Sequence, residues 1–330
     1  VNTRFDGKIS DHIKKLLEDK KYLGPTDKSE GKEGFKAKKI DIEETENTYN
    51  FVGNNKKPYY IINWLSRGSV PKLPESGGAT GISAGFLFWE TNKGLHFKSI
   101  DSLFAQEPKL SVLYNESPDE NNTPPAGYDV KALEYSVSNA VDVQNKLKLG
   151  AYSTRLIVFN PFNTYYEVIN PKAEDNEDKL SLAGKELPVL NKEFKKEDGP
   201  DFSRTTYMLL DPGSLPSGKG IGKGQEQVQK REQENFKPKE SLNQGIMRMN
   251  QVFSQKTTIT IPGDFTLHAG DAIFVDAPQV AGDPDNDQEN TRTGGLYIIA
   301  DLCHYISAKN TLTKLNLVRD SFGRKPKSRN

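Results

Sequence analysis

The chain of 330 residues contains one cysteine, Cys303. A single thiol excludes an internal disulfide and any zinc site built on cysteines. Net charge is lacking too, because 45 Lys+Arg balance 45 Asp+Glu. That removes a bulk electrostatic case for binding nucleic acid or an anionic bilayer. The longest apolar runs, such as RLIVF and LYIIA, fall far short of the ~18 residues of a membrane-spanning helix, so no membrane segment is expected. Internal repeats are missing, and so is the GxSxG elbow of a serine hydrolase. The chain opens on Val1 in what reads as mid-sequence, which raises the expectation of an upstream segment.

What is present reads as globular. Hydrophobic residues make up 34% and charged residues 27%, a balance that fits a folded protein with long polar loops. At roughly 100–200 residues per domain, the length predicts two or three domains. Residues 8–20 predict an amphipathic helix capped by Ser10 or Asp11, with Ile9, Ile13, Leu16 and Leu17 on its buried face. Residues 24–40 and 69–85 read as loops. A helix is expected from Pro58 to Gly68. Residues 85–101 predict a hairpin around Asn92-Lys93-Gly94.

Strands follow at 109–115, 130–138, 153–161 and 164–170, with a short helix at 142–150. Lys, Glu, Asp, Gly and Pro dominate 171–236, which reads as an insertion with little core of its own. A helix at 239–255 is expected to bury Leu242, Ile246, Met249 and Phe253. Strands at 257–263, 270–278, 294–307 and 311–320 predict a closing antiparallel meander, the strongest fold signal in the chain.

Several stretches imitate catalytic or metal motifs. TTYMLLDPGSLPSGKG places Gly213, Gly218 and Lys219 as in a phosphate-binding loop. Gly220 stands where the magnesium-binding hydroxyl belongs, and no apolar helix follows. Asp283, Asp285 and Asp287 are spaced like the first ligands of a calcium loop. Gln288 replaces the turn glycine and Gly294 replaces the closing glutamate, so a solvated loop is the simpler reading. The histidines are His12, His96, His268 and His304. Neighbours on a strand point to opposite faces, so Cys303 and His304 are not expected to hold one ion. On an unbroken strand Leu296, Ile298, Ala300, Leu302 and Ile306 share the face of His304. Tyr297, Ile299, Asp301, Cys303 and Tyr305 then form a mixed second face suited to subunit contact. No catalytic residue, cofactor site or metal site is assigned.

Three stretches together resemble the central baseplate hub protein of contractile-tailed bacteriophages: RFDGKISDHIKKLL, GFLFWETNKGLHFKSIDSLFAQEP, and the ending from TTITIPGDFTLHAGDAIFVDAP to the last strand. The ending carries an L-x-x-G-D bend at Leu267, Gly270 and Asp271. The resemblance implies an α+β chain with a tube-protein-like antiparallel β-barrel and an α/β accessory domain. Residues 1–108 would be the α/β domain, following a first barrel expected before Val1. Residues 109–170 and 256–320 would be the two parts of the tube-like barrel. Between them, 171–255 would be an insertion of polar loops and one helix, and 321–330 a basic, mobile tail. It further implies a non-enzymatic homotrimeric ring between tail tube and cell-puncturing spike, adapting one symmetry to another. Its partners would be itself, the tube protein, the spike and other baseplate proteins, with phage DNA passing through the lumen without specific binding. Its location would be the virion baseplate, after assembly in the bacterial cytoplasm. The alternative is a tail module that binds host glycan through Tyr59, Tyr60, Trp64 and Trp89.

The glycine-lysine stretch generates the first prediction. Because Gly220 supplies no metal ligand, the purified chain is expected to hydrolyse no ATP above background, and Lys219→Ala to change nothing. A phosphate-release assay showing turnover that Lys219→Ala abolishes would overturn the non-enzymatic reading.

Overall fold

The computed structural model describes residues 1–24, 39–72, 84–115, 123–138, 143–160, 164–170, 172, 180–187, 204–209, 243–277 and 293–325. Helix and strand are mixed and sheet dominates, so the chain is α+β. It divides into two compact units: Val1–Ile100 with Leu147–Leu180 and Lys196–Arg248, and Asp101–Lys146 with Ser181–Lys195 and Met249–Asn330. Among the described residues no helix is long and apolar enough to cross a membrane.

The first unit opens with β1 (Arg4–Phe5), α1 (Ile9–Glu18), β2 (Lys39–Ile42), β3 (Phe51–Val52), α2 (Pro58–Ser66), β4 (Phe86–Thr91) and β5 (Gly94–Ser99). Helix α1 buries Ile9, Ile13, Leu16 and Leu17, the expected face. Its cap differs from expectation, because Lys8 is the N-cap and gives no side-chain bond. The first turn is satisfied from elsewhere in the unit: the Ser10 N–H donates to Thr45 Oγ1 at 2.9 Å. A tertiary hydroxyl thus does what a local cap does in an isolated helix. Helix α2 starts at Pro58, where the ring sets φ and the missing N–H costs nothing. Strand β2 begins at the end of the stretch read as loop and continues past it, pairing parallel to β5. Phe86 and Phe97 are fully buried and stack 4.6 Å apart, a contact worth about 0.5–1.5 kcal/mol beyond their burial.

The remaining elements are α3 (Ile100–Phe104), β6 (Leu110–Leu113), β7 (Val130–Lys131), β8 (Glu134–Ser138), α4 (Val143–Leu149), β9 (Arg155–Asn160), β10 (Tyr165–Ile169), β11 (Thr205–Leu209), α5 (Asn243–Gln251), β12 (Gln255–Pro262), β13 (Ala272–Asp276), β14 (Gly295–Ile306) and β15 (Thr311–Arg319). Seven of these form one sheet in the order β7-β6-β13-β14-β15-β12-β8. Its two outermost strands are successive halves of one segment. The Ala132 N–H donates to the Leu113 carbonyl at 2.8 Å, and the Leu133 N–H donates to the Thr260 carbonyl at 2.7 Å. One short segment therefore serves both ends of the sheet, which must roll to let it do so. Inside the roll Val112, Ile259, Ile261, Ile273, Val275 and Tyr297 are buried together.

This arrangement departs from the sequence reading in four ways. The last four strands are not a simple meander, because β12 pairs with β15 and β8 and not with its successor β13. The sheet is not wholly antiparallel, since β6 runs parallel to both β13 and β7. Strands β9 and β10, read as part of the barrel, form a separate sheet with β11, in the order β10-β9-β11. The stretch read as a coreless insertion thus contributes β11, and it also buries Leu182, Ala183 and Leu187.

Helix α5 is also rotated from its expected face. Met247, Arg248, Gln251 and Val252 are buried, whereas Phe253 is exposed. Gly245 explains the rotation: a Cβ there would lie 2.4 Å from the Arg67 carbonyl oxygen, so this side of the helix is the one that meets backbone. Leu242 lies outside the described residues.

The start of the presumed basic tail is packed. Asp320 and Ser321 are fully buried. The Asp320 carboxylate accepts the Ala183 N–H at 3.0 Å, and Phe322 bridges to Glu186. Arg319 is 0% exposed and donates to the carbonyls of Ser321, Gly294 and Gly323 at 2.7, 3.0 and 2.6 Å. Its guanidinium lies 5.1 Å from the Tyr297 ring centroid. Hydrogen bonds to a buried charge are worth about 1.5–3 kcal/mol, and Arg319→Ala strands three carbonyls at once. We expect that variant to lose about 3 kcal/mol or more of unfolding free energy in urea titration. An unchanged midpoint would show that Arg319 does not clamp the end of β15.

Candidate interaction surfaces

In the L-x-x-G-D bend, Leu267 is buried in the core of the roll. Gly270 has φ +90, a conformation that suits glycine, and its N–H donates to the Ile299 carbonyl at 2.8 Å. The Asp271 carboxylate accepts the His268 N–H at 2.8 Å and an ammonium N–H of Lys109 at 2.8 Å. The motif is thus a rigid corner between β12 and β13: an apolar plug, a left-handed residue and an acceptor.

Strand β14 carries a bulge between Ile299 and Asp301. The extra residue, Ala300, reverses which side chains face inward. Before it, Tyr297 and Ile299 are buried in the core. After it, Leu302 packs against that core while Asp301, Cys303 and Tyr305 are exposed. The expected mixed face is therefore two different faces joined at a kink. Cys303 pairs with Lys314 and His304 with Thr313, and the His304 ring bonds the Thr313 hydroxyl at 2.9 Å. The exposed thiol and the hydrogen-bonded imidazole point apart, as strand geometry requires.

The other histidines serve structure. His12 is buried between Phe5 and Phe51, with Nε2 2.7 Å from the Tyr49 carbonyl. Burial lowers its pKa, which favours the neutral ring. His96 sits 2.9 Å from Thr91 Oγ1 and 3.4 Å from Asp41 Oδ2, a hydroxyl, imidazole and carboxylate in line. Asp41 is also bound by Lys98 at 2.7 Å. Burial would raise the Asp41 pKa, but Lys98 and His96 outweigh it and hold the carboxyl below its usual value. These bonds tie the hairpin turn to β2. His268 lies in the corner described above.

Among the described residues no group of three or more His, Cys, Asp and Glu side chains could hold a metal. The phosphate-loop imitation at Gly213, Gly218, Lys219 and Gly220 lies outside the described residues, as do Asp283, Asp285, Asp287 and Gln288. Gly294 is described, and its carbonyl is taken by Arg319. Of the aromatics weighed for glycan binding, Tyr59, Tyr60 and Trp64 are exposed on α2. Trp64 is braced edge-on by Tyr49 and Phe51, each 5.3 Å away. Trp89 is half-buried and stacks on His96 at 5.2 Å.

Two features escaped the sequence reading. One is the outward face of the sheet β10-β9-β11. Leu156, Val158 and Ile169 form its small core with Met208 packed against them. The opposite face carries Phe159, Tyr166, Val168, Tyr207 and Leu209, all exposed. Its signal in the sequence was the near-absence of polar alternation in RLIVF and TYYEVI.

The other is Lys146, whose ammonium donates to Ser254 Oγ at 2.9 Å. Burial, assisted by the positive charge of Lys256, pulls the Lys146 pKa down to about 8. Spacing alone gave no hint of it.

The comparisons with known proteins are sparse. No family model matches the chain, and no curated protein does. Among solved structures the chain is similar to the tail protein from Neisseria meningitidis MC58, with 9% identity and a TM-score of 0.45 over 98% of this chain and 70% of that one. It is also similar to the prophage MuSo2 43 kDa tail protein from Shewanella oneidensis, with 8% identity and a TM-score of 0.41 over 96% of this chain and 65% of that one. TM-scores below 0.5 do not establish a shared fold.

Lys146 yields a pH prediction. Its folded pKa, about 8, lies below the ordinary 10.5. Between those values the unfolded chain binds more protons, so stability rises with pH across that window. Below about 8 the buried charge is a constant liability. Lys146→Met is expected to raise the melting temperature at pH 7 and to flatten the rise between pH 8 and 10.5. Thermal melts with identical pH profiles for both proteins would contradict this.

Proposed function

We propose that the chain is a structural protein of a contractile phage tail. In this reading it is a non-enzymatic subunit of the baseplate hub, built into a trimeric ring between tail tube and spike. The observation that carries the reading is the rolled sheet. Two distant stretches, Leu110–Ser138 and Gln255–Arg319, build one wall with a filled apolar interior. A wall filled with Val, Ile, Leu and Tyr leaves its chemistry on the outside, as a ring subunit needs. The three stretches that carry the hub resemblance fit this division. The ending supplies the wall, with its rigid L-x-x-G-D corner, and the two earlier stretches supply α1 and the hairpin of the first unit.

The finer claims belong to the same proposal. Three copies would close a ring around a bore through which DNA passes without sequence-specific contacts. The tube protein would stack on one rim and the spike on the other, with further baseplate proteins around them, at the tail end of the virion. The test is the mass of the assembly. Light scattering after size exclusion is expected to give three chains per particle, alone or with spike protein added. A particle that stays monomeric at high concentration with spike present would overturn the hub reading.

A further inference from the structure

We infer that the outward face of the sheet β10-β9-β11 is a self-association surface, which docks on a second copy of this chain. The register builds the apolar part of the face from two cross-strand rows, beside a third row that pairs Arg155 with Thr205. One row is Tyr166, Phe159 and Leu209; the other is Val168, Ile157 and Tyr207. All six side chains are apolar or aromatic. Tyr207 is 78% exposed, Leu209 66% and Tyr166 63%. A sheet with one solvated face alternates apolar and polar residues, whereas strands covered on both faces read as continuous apolar runs. The run LIVF in β9 is of the second kind, and Leu156 and Val158 already fill the inner side. The sequence of β9 therefore anticipates a cover that the described residues do not supply.

Size and charge select the occupant. The two rows expose on the order of 500 Å² of apolar surface, near the upper end of what a monomer leaves in water. With a polar rim, that approaches the roughly 800 Å² per partner of a stable interface. Neither apolar row contains an ionised group, and the Arg155 cation lies in the bordering row, so the apolar rows themselves call for no opposite-charge partner. Interfaces between identical chains are the most apolar class. The choice of a second copy also rests on the ring reading above, in which the chain assembles with itself.

The test uses the full chain in sedimentation velocity over a dilution series. Tyr207→Lys and Tyr166→Lys each place a charge at one end of an apolar row. Each is expected to weaken self-association about a hundredfold while leaving the cooperative melt unchanged, because both side chains already face water. If a lysine variant fails to melt cooperatively, the uncharged Tyr166→Ser/Tyr207→Ser variant replaces it, with the same expectation. Wild type that stays monomeric throughout, or variants that assemble as wild type does, would overturn the inference. Trimers that persist in the variants would sink this surface and leave the ring reading standing. Dimers that the variants dissolve would support this surface and count against the ring.

Discussion

The nine residues from Val130 to Ser138 impose the constraint on which the second unit depends. Their first half pairs with β6 and their second half with β12, the two ends of a seven-stranded array. A flat sheet cannot bring its two ends to one segment only a few residues long. Rolling follows, and the order of the rest follows from rolling. Strand β12 must lie beside β15 to reach β8, which is why it does not pair with β13. The bulge at Ala300 adds local twist and coiling, as bulges do in strongly curved sheets.

Much of this was legible in the sequence. Helices α1 and α2, the hairpin and the four last strands were all placed within a few residues. Their signals were local: the apolar periodicity of Ile9, Ile13, Leu16 and Leu17, a proline at a helix start, and alternation in the strands. What the sequence concealed was mostly non-local. No local pattern says that Thr205–Leu209 pairs parallel to β9, nor that Thr45 caps a helix some 35 residues earlier. The inverted faces of β14 are a subtler case. Reading the strand as one unbroken pleat put Tyr297 and Cys303 on the same side, and a single inserted residue separates them. The rotated face of α5 turns on Gly245, whose role is defined by a carbonyl at Arg67.

The interaction surfaces were less legible than the fold, for a physical reason. Motifs such as Gly218-Lys219 or Asp283-x-Asp285-x-Asp287 draw attention because catalysis and metal binding need particular atoms at particular spacings. An interaction face needs only shape, apolarity and a missing cover. The TYYEVI and TTYMLL runs look like any buried strand until their neighbours are known. Attributing β9 and β10 to the barrel supplied them with an imaginary cover. Once they pair with β11 instead, the same residues are left facing water.

The two sheets present different surfaces. The rolled sheet uses Ala132 and Leu133 to satisfy both of its ends, and Arg319 to tie down the chain as it leaves the wall. The small sheet is organised differently. Its outermost strands β10 and β11 flank a single central strand, and two of its outer rows present aromatic and branched side chains, with Arg155 and Thr205 in the row beside them. A three-stranded sheet with a core of only four residues gains little stability from its inner face alone. Covering the outer rows would roughly double the apolar surface holding those strands together. A cover on those rows would therefore consolidate the same three strands that the inner core holds.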